Sequence, residues 1–315
     1  MFRRSLLYLS SQQGLERFVR RNRLARKFAS RFVAGETLQE ALAAVRRIND
    51  SGATASLDLL GESVTKESEA RATGRAYVEM LDRIASAKLD TNVSVKLTAL
   101  GLDVSEDLCV SVMQGVLERA RQCGNFVRID MEGSEYTQRT LDLFEHRFYP
   151  NYRENVGVVL QSYLYRTMDD AAWANRLRAR VRLCKGAYME PPSVAYADKK
   201  DVDENYLRAM RLLLLEGNYP GIATHDEAII EETKQFATEQ SIASDRYEFQ
   251  MLYGVRRDLQ EQLVEDGYRM RVYVPFGTQW YPYLMRRLAE RPANVAFITG
   301  NVMREVFGRR RRRKR

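Results

Sequence analysis

Short apolar runs recur along this chain at a steady interval, with longer segments of helical periodicity between them. Such runs, rich in β-branched residues, are typical of buried strands. We predict eight strands, at Ala53–Leu60, Val93–Leu97, Phe126–Met131, Gly157–Leu160, Val181–Cys184, Gly221–Thr224, Glu248–Leu252 and Arg271–Val274. The intervening helical segments include Glu67–Ser86, Glu106–Gln122 and Tyr206–Leu215. Each unit is a strand followed by a helix, which predicts a parallel sheet.

Eight strand–helix units match the number that closes a (β/α)8 TIM-type barrel. A doubly wound open sheet is the competing α/β fold. It is disfavoured because no G-x-G-x-x-G or P-loop pattern follows any predicted strand. A length of 315 residues suits one large domain. We therefore predict a catalytic barrel over residues 51–307.

Residues 1–50 are predicted to form additional N-terminal helices packed on the barrel. Thr37 and Glu40 have the spacing of a capping box, which marks the start of one helix. Residues 1–33 are rich in arginine and serine and contain a single acid, Glu16, as a mitochondrial transit peptide does. Apolar residues at helical spacing in the same segment favour packed helices over targeting.

The net charge of +8 is concentrated at the carboxyl terminus. Residues 309–315 carry seven positive charges, so the rest of the chain is near +1. We predict that residues 308–315 form a disordered basic tail, because like charges repel and cannot pack. The tail is either a binder of anionic lipid or nucleic acid or an unselective solvated segment, and the sequence leaves both open.

Cysteine usage and hydropathy indicate the compartment. Cys109, Cys123 and Cys184 are few and widely separated, so they form neither a disulfide framework nor a zinc-type cluster. No apolar run reaches the roughly 20 residues that span a bilayer. We therefore expect a reducing compartment, no metal and no transmembrane helix.

Polar residues are concentrated where the predicted strands end, and in a barrel the loops after the strands form the active face. In chain order these residues are Lys96, Asp130, Glu132, Gln161, Arg182, Lys185, Thr224, His225 and Tyr273. Each has an ordinary explanation alone, such as an ion pair or a hydrogen-bonded barrel filler. Together they predict a functional site, since charged groups in apolar strands are costly to desolvate.

Adjacent arginines, Arg286 and Arg287, open a helical segment after the last predicted strand. Two planar guanidinium groups in this position can bind one small carboxylate. The alternative is a solvated basic face, in which Glu290 pairs with either arginine at helical spacing.

Six motifs, in this order, resemble those of proline dehydrogenases. They are Val93-Ser94-Val95-Lys96-Leu97-Thr98, Ile129-Asp130-Met131-Glu132, Leu160-Gln161-Ser162-Tyr163, Arg182-Leu183-Cys184-Lys185-Gly186-Ala187-Tyr188, Ala223-Thr224-His225 and Tyr283-x-x-Arg286-Arg287. The likeness extends from about Gly35 to Val302. It implies a stand-alone, flavin-dependent barrel that oxidises L-proline to Δ1-pyrroline-5-carboxylate. It also implies non-covalently bound FAD and a quinone as electron acceptor.

The resemblance implies substrate contacts as well. Arg286 and Arg287 would hold the proline carboxylate while Glu290 faces the ammonium group. Lys96 and Asp130 would form a coupled pair in the substrate pocket and would be catalytic together with Arg182. The implied pocket walls are Tyr273 and Tyr283, with Leu252 and Tyr253 as further candidates.

The implied cofactor site follows the middle strands. Arg182 would stabilise the negative charge of the reduced flavin, and Gly186 would let the backbone approach closely. The full set of implied cofactor residues is Met131, Gln161, Arg182, Lys185, Gly186, Ala187, Thr224 and His225.

Two other functions stay open. A Schiff-base aldolase on the same barrel would use Lys96 or Lys185 as its nucleophile. A binder of nucleic acid or of a membrane surface would depend on the basic tail. With proline oxidation preferred, we expect L-proline and a quinone as partners and no nucleic acid. The expected location is the cytoplasm, with possible peripheral contact with the inner membrane.

Overall fold

The computed structural model describes the backbone of residues 29–290 and the side chains of residues 29–287. Eight parallel strands form a closed barrel in which each strand pairs with its neighbours in chain order and the last pairs with the first. The strands are β1 Thr54–Leu59, β2 Thr91–Val95, β3 Val127–Ile129, β4 Val156–Gln161, β5 Arg180–Cys184, β6 Gly221–Ala223, β7 Glu248–Leu252 and β8 Met270–Phe276. The predicted (β/α)8 fold is confirmed, and every predicted strand overlaps an observed one.

Ten α-helices surround this barrel within the described residues. They are α1 Leu38–Asp50, α2 Glu67–Ala87, α3 Glu106–Gln122, α4 Ser134–Leu143, α5 Tyr149–Tyr152, α6 Thr167–Leu177, α7 Lys199–Glu216, α8 Glu227–Glu239, α9 Arg257–Glu265 and α10 Trp280–Glu290. A 3-10 turn lies at Thr98–Leu100 and a π-helical turn at Phe144–Phe148. Helix α7 begins earlier than predicted. Its first two turns are almost entirely polar, so they lack the apolar periodicity from which a helix is predicted.

Helix α1 begins with the predicted capping box. The Thr37 hydroxyl accepts a hydrogen bond from the Glu40 amide at 3.3 Å, and the Glu40 carboxylate accepts one from the Thr37 amide at 3.0 Å. The buried face of α1, which includes Ala41 and Val45, packs on the barrel beside β1 and β8. Helix α1 therefore occupies the position that the helix after β8 would take in a simple eightfold barrel.

Helix α10, which follows β8, packs elsewhere. Its Trp280, Tyr281 and Leu284 belong to a hydrophobic cluster with Phe32 and Leu60, separate from the main core. Leu60 directly follows β1, so this cluster lies at the carboxyl-terminal ends of the strands. Helix α10 is thereby brought to the mouth of the barrel.

Alternation along the strands separates an apolar layer from a polar interior. In β1, Leu57 belongs to the main core between strands and helices, whereas Ser56 contacts Ser94 of β2 and Asp58 contacts Lys96 just after it. Burying an outer side chain such as Leu57 contributes about 1.5–3 kcal/mol. A Cβ at Gly157 would lie only 2.6 Å from Nη1 of Arg128, so glycine here admits a large polar side chain to the barrel interior.

Three further expectations meet different outcomes. Residues 1–28, the predicted boundary at residue 307 and the basic tail fall outside the described residues, so the division into domains stays a prediction. Cys109, Cys123 and Cys184 are free thiols in the described part of the chain. Between residues 29 and 290, no helix is long and apolar enough to cross a membrane.

Candidate active site

A cavity of about 700 Å³ opens at the carboxyl-terminal ends of the strands. The residues that the sequence predicts for the site line it, with two exceptions: Glu132, which is buried and bound to Thr98, and Glu290, whose side chain lies outside the described ones. Leu252 also lines the cavity, whereas Tyr253 stacks against Arg257 and is not part of the wall. The cavity therefore collects residues from strands that are far apart in sequence, as expected for the active face of a barrel.

Asp130, just after β3, accepts two short hydrogen bonds at the base of the cavity. Arg182 of β5 donates to one carboxylate oxygen at 2.6 Å, and the Tyr273 hydroxyl of β8 donates to the other at 2.7 Å. The Arg182 guanidinium also lies over the Tyr273 ring, 5.2 Å from its centroid. Burial and the Asp130 charge raise the pKa of Tyr273, so its hydroxyl remains a donor.

Arg182 is almost completely buried, yet its donors reach acceptors on or just after four other strands across the barrel. Besides Asp130, it donates to Oε1 of Gln250 at 2.5 Å, to Ser94 at 3.1 Å and to Ser56 at 3.4 Å. A buried guanidinium is tolerated only when it is paired and hydrogen-bonded, and both conditions hold here. Arg182 is thus fixed in one orientation.

Lys96, after β2, pairs with Asp58 of β1 and not with Asp130 as predicted. Its ammonium nitrogen lies 3.5 Å from both Asp58 oxygens, and both side chains are buried. The physical reason is adjacency, since β1 and β2 are paired strands, while Asp130 is already bound by Arg182 and Tyr273.

The charge state of Lys96 follows from this environment. Burial favours the neutral amine, but the carboxylates of Asp58 and Asp130 outweigh it and raise the pKa of Lys96 above its ordinary value. Burial also raises the pKa of Asp58, and the Lys96 ammonium reduces this increase. A Schiff-base nucleophile needs a lowered pKa, so this site disfavours the aldolase alternative for Lys96.

Lys185, after β5, belongs to a second charged group on the cavity wall. Its ammonium lies 2.6 Å from Asp203 and 2.7 Å from Asp226, and Lys199 also bridges these two aspartates. Lys199 and Asp226 line the cavity beside Lys185. Two carboxylates therefore hold Lys185, which leaves it poorly suited to act as a free amine nucleophile.

The residues around β4 and β6 include one unsatisfied polar atom. Gln161 is buried and donates to the Glu132 carbonyl at 3.3 Å, but its Oε1 has no hydrogen-bond partner among the described residues. His225 accepts a hydrogen bond on Nε2 from the Leu252 amide at 2.9 Å, so its neutral ring carries the proton on Nδ1. Gln161 thus offers an acceptor, within the cavity wall, to a bound donor.

Gly186 has a structural reason besides the predicted close approach of the backbone to a cofactor, which stays a prediction. Its φ of +107° favours glycine, and a Cβ there would lie 2.5 Å from the Tyr163 ring. The glycine therefore admits Tyr163, whatever its relation to a bound molecule.

The two arginines of α10, Arg286 and Arg287, line the cavity at the mouth of the barrel. Arg286 forms an ion pair with Glu62, at 2.6 and 3.4 Å, and this carboxylate raises its pKa against the effect of burial. Arg287 lies over the Tyr283 ring, 5.2 Å from its centroid. Both guanidinium groups line the same cavity as Lys96 and Asp130.

Several lining residues were missed from the sequence, above all Asp58, Tyr188 and Gln250. Asp58 is an acid inside an apolar run, which was a usable signal. Gln250 likewise interrupts the apolar run of β7. Tyr188 ends one of the six motifs, and burial raises the pKa of its hydroxyl.

Comparisons with known proteins agree with this geometry. The proline dehydrogenase family model matches residues 41–300. Proline dehydrogenase 1 of Bacillus subtilis subsp. natto is 42% identical over 305 residues, which cover 97% of this chain and 100% of that protein. Proline dehydrogenase of Deinococcus radiodurans is 39% identical over 307 residues, covering 96% of this chain and 98% of that protein.

A solved structure gives the same picture for the fold. Proline utilization A from Bdellovibrio bacteriovorus, inactivated by N-propargylglycine, superposes with a TM-score of 0.80 at 27% identity over 88% of this chain. The match covers 34% of that protein, so this chain spans about a third of its length. Since a family model covers most of the chain and close relatives match nearly all of it, this chain belongs to the proline dehydrogenase family and is an oxidoreductase acting on proline.

Proposed function

We propose that this protein oxidises L-proline to Δ1-pyrroline-5-carboxylate with non-covalently bound FAD, and that a quinone takes the electrons. In this reaction C5 of proline would lose a hydride, which bound FAD would accept at N5, and the ring nitrogen would lose a proton. The observation that carries the proposal is that the arginine pair of α10 and the implied cofactor residues line one cavity.

The residues present fit a flavin in two respects. The buried Oε1 of Gln161 lacks a partner among the described residues and can accept a hydrogen bond from a bound ring N–H. Lys185 and Lys199, which are paired with Asp203 and Asp226, offer ammonium N–H donors on the wall beside Thr224 and His225. Together with Met131, Arg182, Gly186 and Ala187, these residues would hold the cofactor. When bound, the flavin supplies the two-electron acceptor.

The chain itself contributes binding and electrostatics. Arg287 and Arg286 bind the substrate carboxylate by charge-assisted hydrogen bonds, with Arg286 oriented beforehand by Glu62. Glu290 remains our candidate for contact with the substrate nitrogen. Lys96 keeps its proton because of its raised pKa, so it acts as a fixed positive charge and not as a base. Asp130 accepts hydrogen bonds from Arg182 and Tyr273 and so fixes the positions of these two side chains around the substrate.

The decisive experiment is the visible absorption spectrum of the purified protein before and after anaerobic addition of L-proline. We expect flavin bands that bleach with L-proline and persist with D-proline as a control. Flavin bands indifferent to L-proline would contradict the substrate, and a protein that cannot be reconstituted with FAD would contradict the cofactor. We also expect N-propargylglycine, which inactivates the Bdellovibrio protein, to inactivate this one.

The electron acceptor and the membrane contact need their own test. Reduced protein is mixed anaerobically with a soluble quinone or with NAD, and recovery of the oxidised spectrum is followed. We expect recovery with the quinone alone. Sedimentation with anionic lipid vesicles, for the full chain and for a chain ending at Gly308, tests peripheral contact through the basic tail.

A further inference from the structure

A second cavity, of about 490 Å³, opens at the opposite end of the barrel. Its wall is built at the amino-terminal ends of the strands, and its charged residues lie on β3, β5, β7 and β8. They are Arg128, Arg180, Glu248 and Arg271 within the barrel, with Lys88 and Asp90 exposed at the rim. None of these residues lines the first cavity.

One of the three arginines is fully compensated. Arg271 donates to Glu248 at 2.7 Å and to the carbonyl of Ala55 at 2.6 Å. Glu248 also accepts from Gln250 at 2.6 Å and from the Tyr219 hydroxyl at 3.1 Å. Both oxygens of this carboxylate are therefore in use, and its charge balances Arg271.

The other two arginines have no carboxylate partner within the described residues. Arg128 donates only to carbonyl oxygens, of Val158 at 3.1 Å and of Arg180 at 2.5 Å. Arg180 lies over the rings of Phe126 and Tyr219, 5.3 and 5.6 Å from their centroids. The Nε atoms of Arg128 and Arg180 are both buried and lack a hydrogen-bond partner in the described part of the chain.

This arrangement has an energetic cost. Arg128 is 3% exposed, and burial together with the neighbouring arginines lowers its pKa well below the ordinary value. A guanidinium nevertheless keeps its proton in proteins, so the cost is not relieved by neutralisation. Water could accept hydrogen bonds from the N–H groups, but it brings no opposite charge. An anion would satisfy both.

We propose that the amino-terminal cavity is a binding site for a small oxyanion held between Arg128 and Arg180. Planar guanidinium groups bind phosphate or carboxylate oxygens through paired N–H donors. The six charged groups of the cavity leave an excess of two positive charges, which favours a dianion such as phosphate or a dicarboxylate. The cavity has the size of a small-molecule site.

The test is isothermal titration of the purified full-length protein at constant ionic strength. The probes are inorganic phosphate, succinate as a dicarboxylate of similar charge, and sodium chloride. We expect one equivalent of phosphate or succinate to bind, and chloride to give no saturable heat. Tighter binding of phosphate identifies a phosphate-type ligand, and tighter binding of succinate a dicarboxylate.

Matched variants locate the site. Arg180→Gln should weaken oxyanion binding at least tenfold. Arg211→Gln removes the same charge and a similar aromatic stack, over Phe236, from the outside of α7, and should leave binding unchanged. Arg287→Met, in the other cavity, should also leave it unchanged. Retained proline oxidation by Arg180→Gln would show that this variant is folded.

Two results would overturn the proposal. The first is the absence of saturable heat with both oxyanions. The second is binding that does not depend on Arg180. Such binding would survive Arg180→Gln, and its loss with Arg287→Met would place the anion in the carboxyl-terminal cavity.

Discussion

At both ends of this barrel, strand alternation places charged side chains in the interior, but the two ends differ in how those charges are paired. At the carboxyl-terminal end, buried cations meet carboxylates of the chain itself, as in Lys96 with Asp58 and Arg182 with Asp130. At the amino-terminal end, the partners that Arg128 and Arg180 have among the described residues are carbonyl groups and aromatic rings. Internally paired charges suit a zwitterion such as proline, which brings no net charge, whereas an unpaired excess suits an anion. Charge balance, more than residue type, distinguishes the two cavities.

The largest effect is expected from breaking a pair at the carboxyl-terminal end. Arg182→Met leaves Asp130 buried without its cation, which should lower the free energy of unfolding by about 3–5 kcal/mol and abolish proline oxidation. Urea unfolding and a turnover assay measure both. Arg211→Met breaks an exposed pair with Glu232 and should change stability by less than about 0.5 kcal/mol. Equal losses in the two variants would refute the argument from burial.

Glu132 sharpens the comparison because it is a buried acid at the carboxyl-terminal end that forms no ion pair with any residue the structure describes. It accepts from Thr98 at 2.6 Å, and burial raises its pKa from 4.5 to about 7. The folded state thus holds this proton more tightly than the unfolded chain, so stability falls as the pH rises from about 4.5 to about 7. Relative to Glu132→Gln, the wild type should lose up to about 3 kcal/mol across this range.

Urea unfolding of both proteins at several pH values measures this difference. Parallel pH profiles would mean that Glu132 does not carry the effect.

A somewhat smaller effect is expected from the carboxylate contacts of α10. Arg287→Met removes one charge-assisted contact with the substrate, worth about 2–3 kcal/mol, so KM for proline should rise about 100-fold. Flavin content, read from the visible spectrum, should stay the same. An unchanged KM would remove Arg287 from the substrate site.

The smallest effect is expected away from both cavities. Thr37→Ala removes the cap of α1 and should cost about 1 kcal/mol of unfolding free energy without changing KM. Urea unfolding detects the loss, and Thr73→Ala, at a half-buried position inside α2, is a control without a capping role. A change in KM would indicate that α1 influences the mouth of the barrel.

The fold was predictable because each strand is a compact apolar run and the runs are eight in number. The site residues were predictable because the barrel rule directs attention to strand ends. The same rule hid the amino-terminal cavity, since Arg128 and Arg180 lie at or near strand beginnings. The partner of Lys96 was also missed, because Asp58 lies within the strand and its acid was read as part of an apolar run.

Other features depend on three-dimensional packing that no local pattern specifies. The sequence predicts a helix after β8, but its place over the mouth follows from α1 already packing beside β1 and β8. The contacts of Arg182 with four strands likewise require the closed barrel.

The contacts of Gln250 have a consequence for protein engineering. This amide accepts from Arg182 on one side and donates to Glu248 on the other, so one hydrogen-bonded series joins Arg271, Glu248, Gln250, Arg182 and Asp130. A designer who varies Glu248 to give the amino-terminal cavity a new ligand would also disturb Arg182, the side chain that orients Asp130. These five positions therefore form a single unit for library design and need to be randomised together.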